Sequence, residues 1–286
     1  MGSISAFLLA CAVCGAADRT LPESGNEVAF AGRKRATLQM RAATFETRAR
    51  DLRLTEIRTV PGLALAVLPT TMFGVEVPIL HRTLVAGGRA GAGMPEIARP
   101  SLGDVELRAS HTAWKSGIGA SSRRFVVGAG VKLPTAPLEL APSGREVHPD
   151  LQPGCGSVVP VLEATYTWSA SLWSAWAGAA LVFPVSVRRG AHPGDSLRGS
   201  FTFQLQPTRA FATRLGVHGR YDTTGEAEGE VVKASGGAAV HVAPELVVAP
   251  VTDVVIGIGA SFPLVQEMRG YRSTSPVLLA SVGVDF

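Results

Sequence analysis

Histidines and serines are the residues whose chemistry is worth testing first. The six histidines are His81, His111, His148, His192, His218 and His241. A serine within hydrogen-bond reach of an imidazole, itself oriented by a third group, makes an activated nucleophile. His148 and His192 each precede a proline and read as turn residues. His218 and His241 lie in alternating segments that could bring them near Ser200 or Ser261. Nothing in the spacing demands such a pair, so no catalytic residue is assigned and the chain is not read as an enzyme. Gly128-Ala129-Gly130 and Gly257-Ile258-Gly259 each begin a dinucleotide fingerprint. The third glycine would fall at 133 and 262, where Leu133 and Phe262 stand, and no helix follows either. No phosphate loop, zinc spacing or calcium loop is present, so neither cofactor nor metal is expected. Of Cys11, Cys14 and Cys155, the first two fall in an N-terminal apolar run, which leaves Cys155 alone once that run is removed.

The charged residues show more order than the histidines. In "LRGSFTFQLQ" (197–206), Leu197, Phe201, Phe203 and Leu205 oppose Arg198, Ser200, Thr202 and Gln204. In "FATRLGVHGRY" (211–221), Phe211, Leu215, Val217 and Tyr221 oppose Arg214, His218 and Arg220. "VELRASHTAW" sets Glu106 and Arg108 against Val105 and Leu107, and "VVPVLEATYTW" sets Glu163 against Leu162. A side-chain period of two puts each set on its own face of a strand. Arg58, Glu76 and Lys132 fit the same scheme. The wet face therefore collects Arg58, Glu76, Glu106, Arg108, Lys132, Glu163, Arg198, Arg214, His218 and Arg220, with both signs present so that some pair.

The elements that carry these residues are short strands. The chain has 286 residues, 46% hydrophobic and 17% charged, with 32 glycines and 19 prolines. That composition suits many turns and few long helices. Past residue 20 no stretch approaches the roughly 18 apolar residues a spanning helix needs. Twelve strands are predicted near 36–50, 54–68, 72–83, 103–114, 123–134, 157–168, 172–186, 197–206, 210–222, 234–249, 254–265 and 275–286. Their connections alternate short and long, the long ones including 86–101 and 136–156. "GVEVP", "GVKLP" and "GASFP" repeat a glycine, three residues and a proline, with "GAALVFP" a looser copy. Each proline is expected at the loop end of its strand, where no ladder donor is missed.

The question is what covers the apolar face. A soluble sandwich or barrel would pack such faces together and explains the alternation equally well. It has no reason to sort connections by end, whereas membrane barrels pair short periplasmic turns with long outer loops. In lipid a sheet must close so that every backbone group is paired. The expectation is an all-β fold, a transmembrane antiparallel up-and-down β-barrel of about 12 strands, over residues 36–286. Ile256, Ile258 and Phe262 would meet lipid while Gly257, Gly259 and Ser261 face the lumen, with Trp168, Trp173 and Trp176 as an interfacial girdle. Residues 1–17 read as an export signal without a leading positive charge, with Leu8-Leu9-Ala10-Cys11 fitting a lipoprotein box as an alternative. Residues 18–35 read as a periplasmic segment or a plug. The net charge of +4 concentrates only at Arg33-Lys34-Arg35, and no aromatic-rich recognition module is visible, so nucleic acid is not an expected partner.

"SLGDVELRASHTAW" (101–114), "RRFVVGAGVKLPT" (123–135) and "PVTDVVIGIGASFPL" (250–264) resemble the outer-membrane transporters of the "MetA-pathway of phenol degradation" type. Gly103-Asp104 and Gly130-Val131-Lys132-Leu133-Pro134-Thr135 carry the likeness, which covers about residues 100–286. The terminal "LLASVGVDF", ending in Phe286, resembles the last strand of outer-membrane proteins, whose aromatic is read by the barrel-assembly machinery. The resemblance implies a bacterial outer-membrane channel or transporter for small solutes, aromatic or hydrophobic compounds among them. A structural or adhesive barrel with a closed lumen is the alternative, and an outer-membrane barrel hydrolase a third. The partners implied are outer-membrane lipid, the assembly machinery and a small-molecule solute.

Overall fold

The computed structural model describes residues 34–47, 52–86, 95–117, 121–137, 153–185, 191–192, 194–227, 230–231, 235–269, 271–273 and 276–286. The export signal, most of the N-terminal segment and the middle of the 136–156 connection lie outside the described residues. In chain order the strands are β1 (Lys34–Thr47), β2 (Leu52–Leu68), β3 (Thr71–Glu76), β4 (Ile79–Ala86), β5 (Pro95–Leu102) and β6 (Val105–Ser116). There follow β7 (Ser122–Leu133), β8 (Val159–Ser169), β9 (Trp173–Val182), β10 (Ala191–His192), β11 (Ser196–Thr208) and β12 (Phe211–Asp222). The last are β13 (Glu226–Ala227), β14 (Glu230–Val231), β15 (Gly237–Val251), β16 (Val254–Gln266), β17 (Tyr271–Ser273) and β18 (Val277–Asp285).

Fifteen of these form a closed antiparallel barrel of twelve staves, and β10, β13 and β14 make a separate small sheet. Three staves are interrupted: β3 and β4 at Val77-Pro78, β5 and β6 at Gly103-Asp104, and β17 and β18 between residues 273 and 277. β1 closes the ring, pairing with β2 on one edge and with β17 and β18 on the other. A bidentate contact pins that seam: Arg35 donates from Nε and an Nη to the two Asp285 oxygens at 2.5 and 2.8 Å. Among the described residues the ring is closed through β1, with only β17 and β5, beyond the stave breaks, at the ends of the sheet order; such closure is what a hydrocarbon environment requires. Tight turns at Pro69-Thr70, Arg209-Ala210 and Thr252-Asp253 gather at one rim with both ends of the barrel wall, and the longer connections gather at the other.

The faces are inverted relative to a soluble protein. On β2, Leu54, Glu56, Arg58 and Val60 are buried while Ile57, Leu63 and Leu65 are exposed. On β16, Ser261 is fully buried and Ile258 and Phe262 point outward. The same outward set includes Leu107, Leu162, Phe201, Leu215 and Leu278. A belt of large apolar side chains therefore surrounds an interior rich in arginine, glutamate and hydroxyls.

Four features depart from the sequence reading. Residues 95–101, expected within the 86–101 loop, belong to strand β5, paired with β4. Pro95 and Pro100 hide the alternation, and β5 accepts them because it stands at the end of the sheet order. Pro78 does not end a stave; it sits at the break, and the chain runs on as β4. Pro263 lies within β16, beside a register shift at Val240/His241, whereas Pro134 and Pro184 do follow their strands. Cys155, expected to stand alone once the N-terminal run is removed, is disulfide-bonded in the full chain.

Candidate functional site

The site is the lumen. Its main cavity has a volume of about 750 Å³. It runs from the short-turn rim at Thr70, Lys115 and Ser169 up to Glu106, Lys132 and His241. That size is in the range of small-molecule sites.

Register builds the lining in rows, because paired residues on neighbouring staves share a face. One row runs Arg124, Thr167, Trp176, Thr202 and Gly216 across β7, β8, β9, β11 and β12. The row above runs Val126, Thr165, Gly178, Ser200, His218 and His241, ending on β15. The next holds Gly128, Glu163, Ala180, Arg198 and Arg220. This wall is therefore mostly small and hydroxylated, which is why the cavity opens in front of it.

Glycines make room for the long side chains. A Cβ at Gly128 would sit 2.5 Å from Glu163 Oε1, and one at Gly216 would sit 2.5 Å from His218 Nε2. Gly257 likewise cradles the Glu245 carboxylate. These inward glycines are spaces that neighbours occupy.

The ten wet-face residues all lie on the inner side. Nine line the main cavity, and Arg58 lies by a small adjoining pocket of about 20 Å³ shared with Asp104, Pro153 and Gly154. Four ionic groups stand on this inner side. Toward the loop end, Glu56 holds Arg82 Nε at 3.0 Å and Arg58 Nε at 3.6 Å, all three side chains at most 4% exposed. Below it, Glu106 receives Arg108 at 2.6 Å and Lys132 at 3.3 Å, and Arg108 reaches Glu163 at 3.7 Å. Across the lumen, Arg214 donates to Gln204 at 2.6 Å and lies 3.4 Å from Glu245. Its guanidinium also stands 5.5 Å from the Trp176 ring centroid. Arg220 is bound to the Asp222 carboxylate.

The serine–histidine geometry is partly met. Ser261 Oγ and His241 Nδ1 are 3.4 Å apart, and Ser200 faces His218 across the ladder. His218 in turn faces His241. The nearby carboxylate of Asp222 is taken by Arg220 rather than by either imidazole.

Sequence reasoning missed several lining groups. Arg124 shares the parity of Lys132 on β7, and Arg82 that of Glu76 along its stave, so the period of two was signal enough for both. Trp176 was grouped with Trp168 and Trp173 as girdle, but its parity is opposite to that of Trp173. Trp176 lines the cavity, while Trp173 packs outward between Trp168 and Phe203, with centroids 4.8 and 6.0 Å away. Asp104 had no assigned role. Its carboxylate accepts the Ala136 N–H at 3.1 Å and the Cys155 N–H at 2.6 Å, which ties both ends of the long connection to the wall. Beside it, Thr135 Oγ1 accepts from Val105 N at 2.9 Å and donates to Gly103 O at 3.1 Å. The two motif pieces Gly103-Asp104 and Pro134-Thr135 thus clasp one another.

No protein-family model matches the chain, and no curated protein matches its sequence. Solved structures do match. An outer membrane channel from Pseudomonas putida F1 superposes with a TM-score of 0.74 at 11% identity, over 93% of this chain and 100% of that one. The translocator domain of autotransporter NalP from Neisseria meningitidis gives 0.48 at 13% identity, over 91% and 90%. The CymD monoaromatic hydrocarbon channel gives 0.46 at 10% identity, over 90% and 89%. The apolar belt, the closed ring, the charged and hydroxylated interior and the superposition on a solved channel together give this chain the fold of a twelve-stranded outer-membrane β-barrel.

Proposed function

We propose that the protein is a bacterial outer-membrane channel for small solutes. One observation carries the reading: an apolar outer belt encloses a cavity of about 750 Å³, lined by charged, hydroxyl and small apolar side chains, that reaches the short-turn rim. A barrel whose only task was to hold loops would have no need of an open, hydroxylated interior. The sequence resemblance adds aromatic or hydrophobic compounds as the solute class. In this reading residues 1–17 direct export, residues 18–35 form a periplasmic segment or plug, and Phe286 presents the terminal aromatic to the assembly machinery. Lumen charges such as Arg108, Arg198 and Arg214 tune passage rather than catalyse.

Single-channel recording in planar bilayers, with solute uptake into liposomes, tests the proposal. Discrete conductance steps support it; a folded sample that is silent in both assays removes it. One observation favours a second reading, a barrel with a closed lumen. At the loop end Leu54, Glu56, Arg58, Leu80 and Arg82 are all at most 3% exposed, a packed layer rather than a mouth. That reading predicts folded protein without conductance whose outer loops bind a partner.

A further inference from the structure

We infer that the lumen holds a binding site for a divalent transition-metal ion, copper(II) before zinc, between His218 and His241. The two residues are direct cross-strand partners on β12 and β15. Both line the cavity, and they are 8% and 3% exposed. Directly opposed side chains start from Cβ atoms about 4.5–5.5 Å apart, so one ion about 2 Å from a nitrogen of each ring spans the pair. Neutral imidazole suits copper, zinc and nickel, and copper(II) stands highest in the affinity order for such donors. The sequence shows no metal spacing because register makes this pair, not neighbourhood along the chain. The site is independent of whether the barrel conducts.

The surroundings of each ring fit a ligand role. His218 Nδ1 is buried and has no hydrogen-bond partner. A polar atom held from water in that way is costly. Ser200, the residue opposite on β11, does not relieve it: its Oγ leans toward β9, 2.9 Å from where a Gly178 Cβ would stand. A metal ion at Nδ1 supplies the partner that the wall does not. His241 is oriented by the fully buried Ser261, whose Oγ lies 3.4 Å from Nδ1. With its Nδ1–H donated to that hydroxyl, His241 keeps the lone pair on Nε2, the usual arrangement of a metal-bound imidazole. Among the described residues no third His, Cys, Asp or Glu completes the set. The remaining positions on the ion belong to water or to an anion from the lumen. Arg41 and Arg220 stand near enough to act on the rings, and Asp222 offsets Arg220. An anion on the metal lowers the positive charge that they face.

The test titrates copper(II) chloride, and separately zinc chloride, into the full chain in detergent. Calorimetry reads affinity, and electron paramagnetic resonance reads the copper ligands. Copper is expected to bind with nitrogen splitting from two imidazoles, and zinc to bind more weakly. His218→Ala and His241→Ala are each expected to weaken copper by about a hundredfold, the gain that joining two binding groups on one frame provides. His111→Asn, beside Thr71 and outside the cavity lining, is the control and should change nothing. Heat-modifiable migration checks the folding of each variant. If an alanine variant does not fold, His218→Gln and His241→Gln carry the test, and the splitting in the unaltered chain needs no variant. Copper held as tightly by either histidine variant as by the parent, zinc held more tightly than copper, or a spectrum without two coupled imidazoles overturns the site. Copper binding at both histidines in a barrel with no conductance upholds the site and removes the channel reading instead.

Discussion

Two parts of the interior solve the same problem in opposite ways. Near the loop end, Glu56, Arg58 and Arg82 are buried against one another and leave almost no space. At mid-height, the β8, β9 and β11 staves present Thr165, Thr167, Gly178, Ser200 and Thr202, and the cavity lies before them. Both regions are polar, and both keep water-loving groups away from lipid. The difference is side-chain length. Long charged groups that reach across a narrow tube meet their partners and seal it, whereas short hydroxyls stay close to the wall and leave the centre free. Composition alone thus decides where such a tube is plugged and where it is open.

The strongest way to break this contrast is to remove the hub of the packed region. Glu56→Ala leaves Arg82 and Arg58 buried without their shared carboxylate and is expected to cost about 3–5 kcal/mol, read as a lower unfolding temperature on heat-modifiability gels. Next in size is a comparison across the wall. Ile258→Arg places a charge on the lipid face and is expected to cost about 2–4 kcal/mol, while Ser200→Arg, facing the lumen, should fold near normally and narrow the conductance. Asp104→Ala removes two hydrogen bonds to a charged acceptor, expected to cost about 2–3 kcal/mol and to speed proteolysis within 138–152 while the barrel stays intact. The seam pair is smaller still. A double-mutant cycle on Arg35 and Asp285 should give a coupling of about 1 kcal/mol. Smallest are Ser200→Ala and Thr165→Ala, expected within about 0.5 kcal/mol of the parent in unfolding because both side chains border the open cavity and not the packed layer.

The barrel was legible because lipid enforces a strict rule. Each spanning stave must alternate, so Leu197 to Gln206 and Phe211 to Tyr221 announce both strand and face. The site was legible only in part, for the same reason. Parity identifies an inward Arg198 or Arg214, but pairing across staves depends on register, which no single segment contains. That Arg198 faces Arg220, or that Arg214 covers Trp176, follows from the stagger of the closed ring. Trp176 is hidden for a different reason: three tryptophans close in sequence resemble one belt, yet the odd spacing from Trp173 to Trp176 sets those two on opposite faces. β5 escaped notice because its two prolines read as turn signals, and they are tolerated there because the stave pairs with β4 at the end of the sheet order.

A single acidic side chain, Asp104, gathers the chain where it leaves one stave and where it returns to the next. Anchored so, the intervening stretch can be lengthened, shortened or exchanged for a foreign sequence with little strain passed to the wall. A peptide grafted there would be carried on the far side from both ends of the barrel wall, which makes this barrel a natural mount for display.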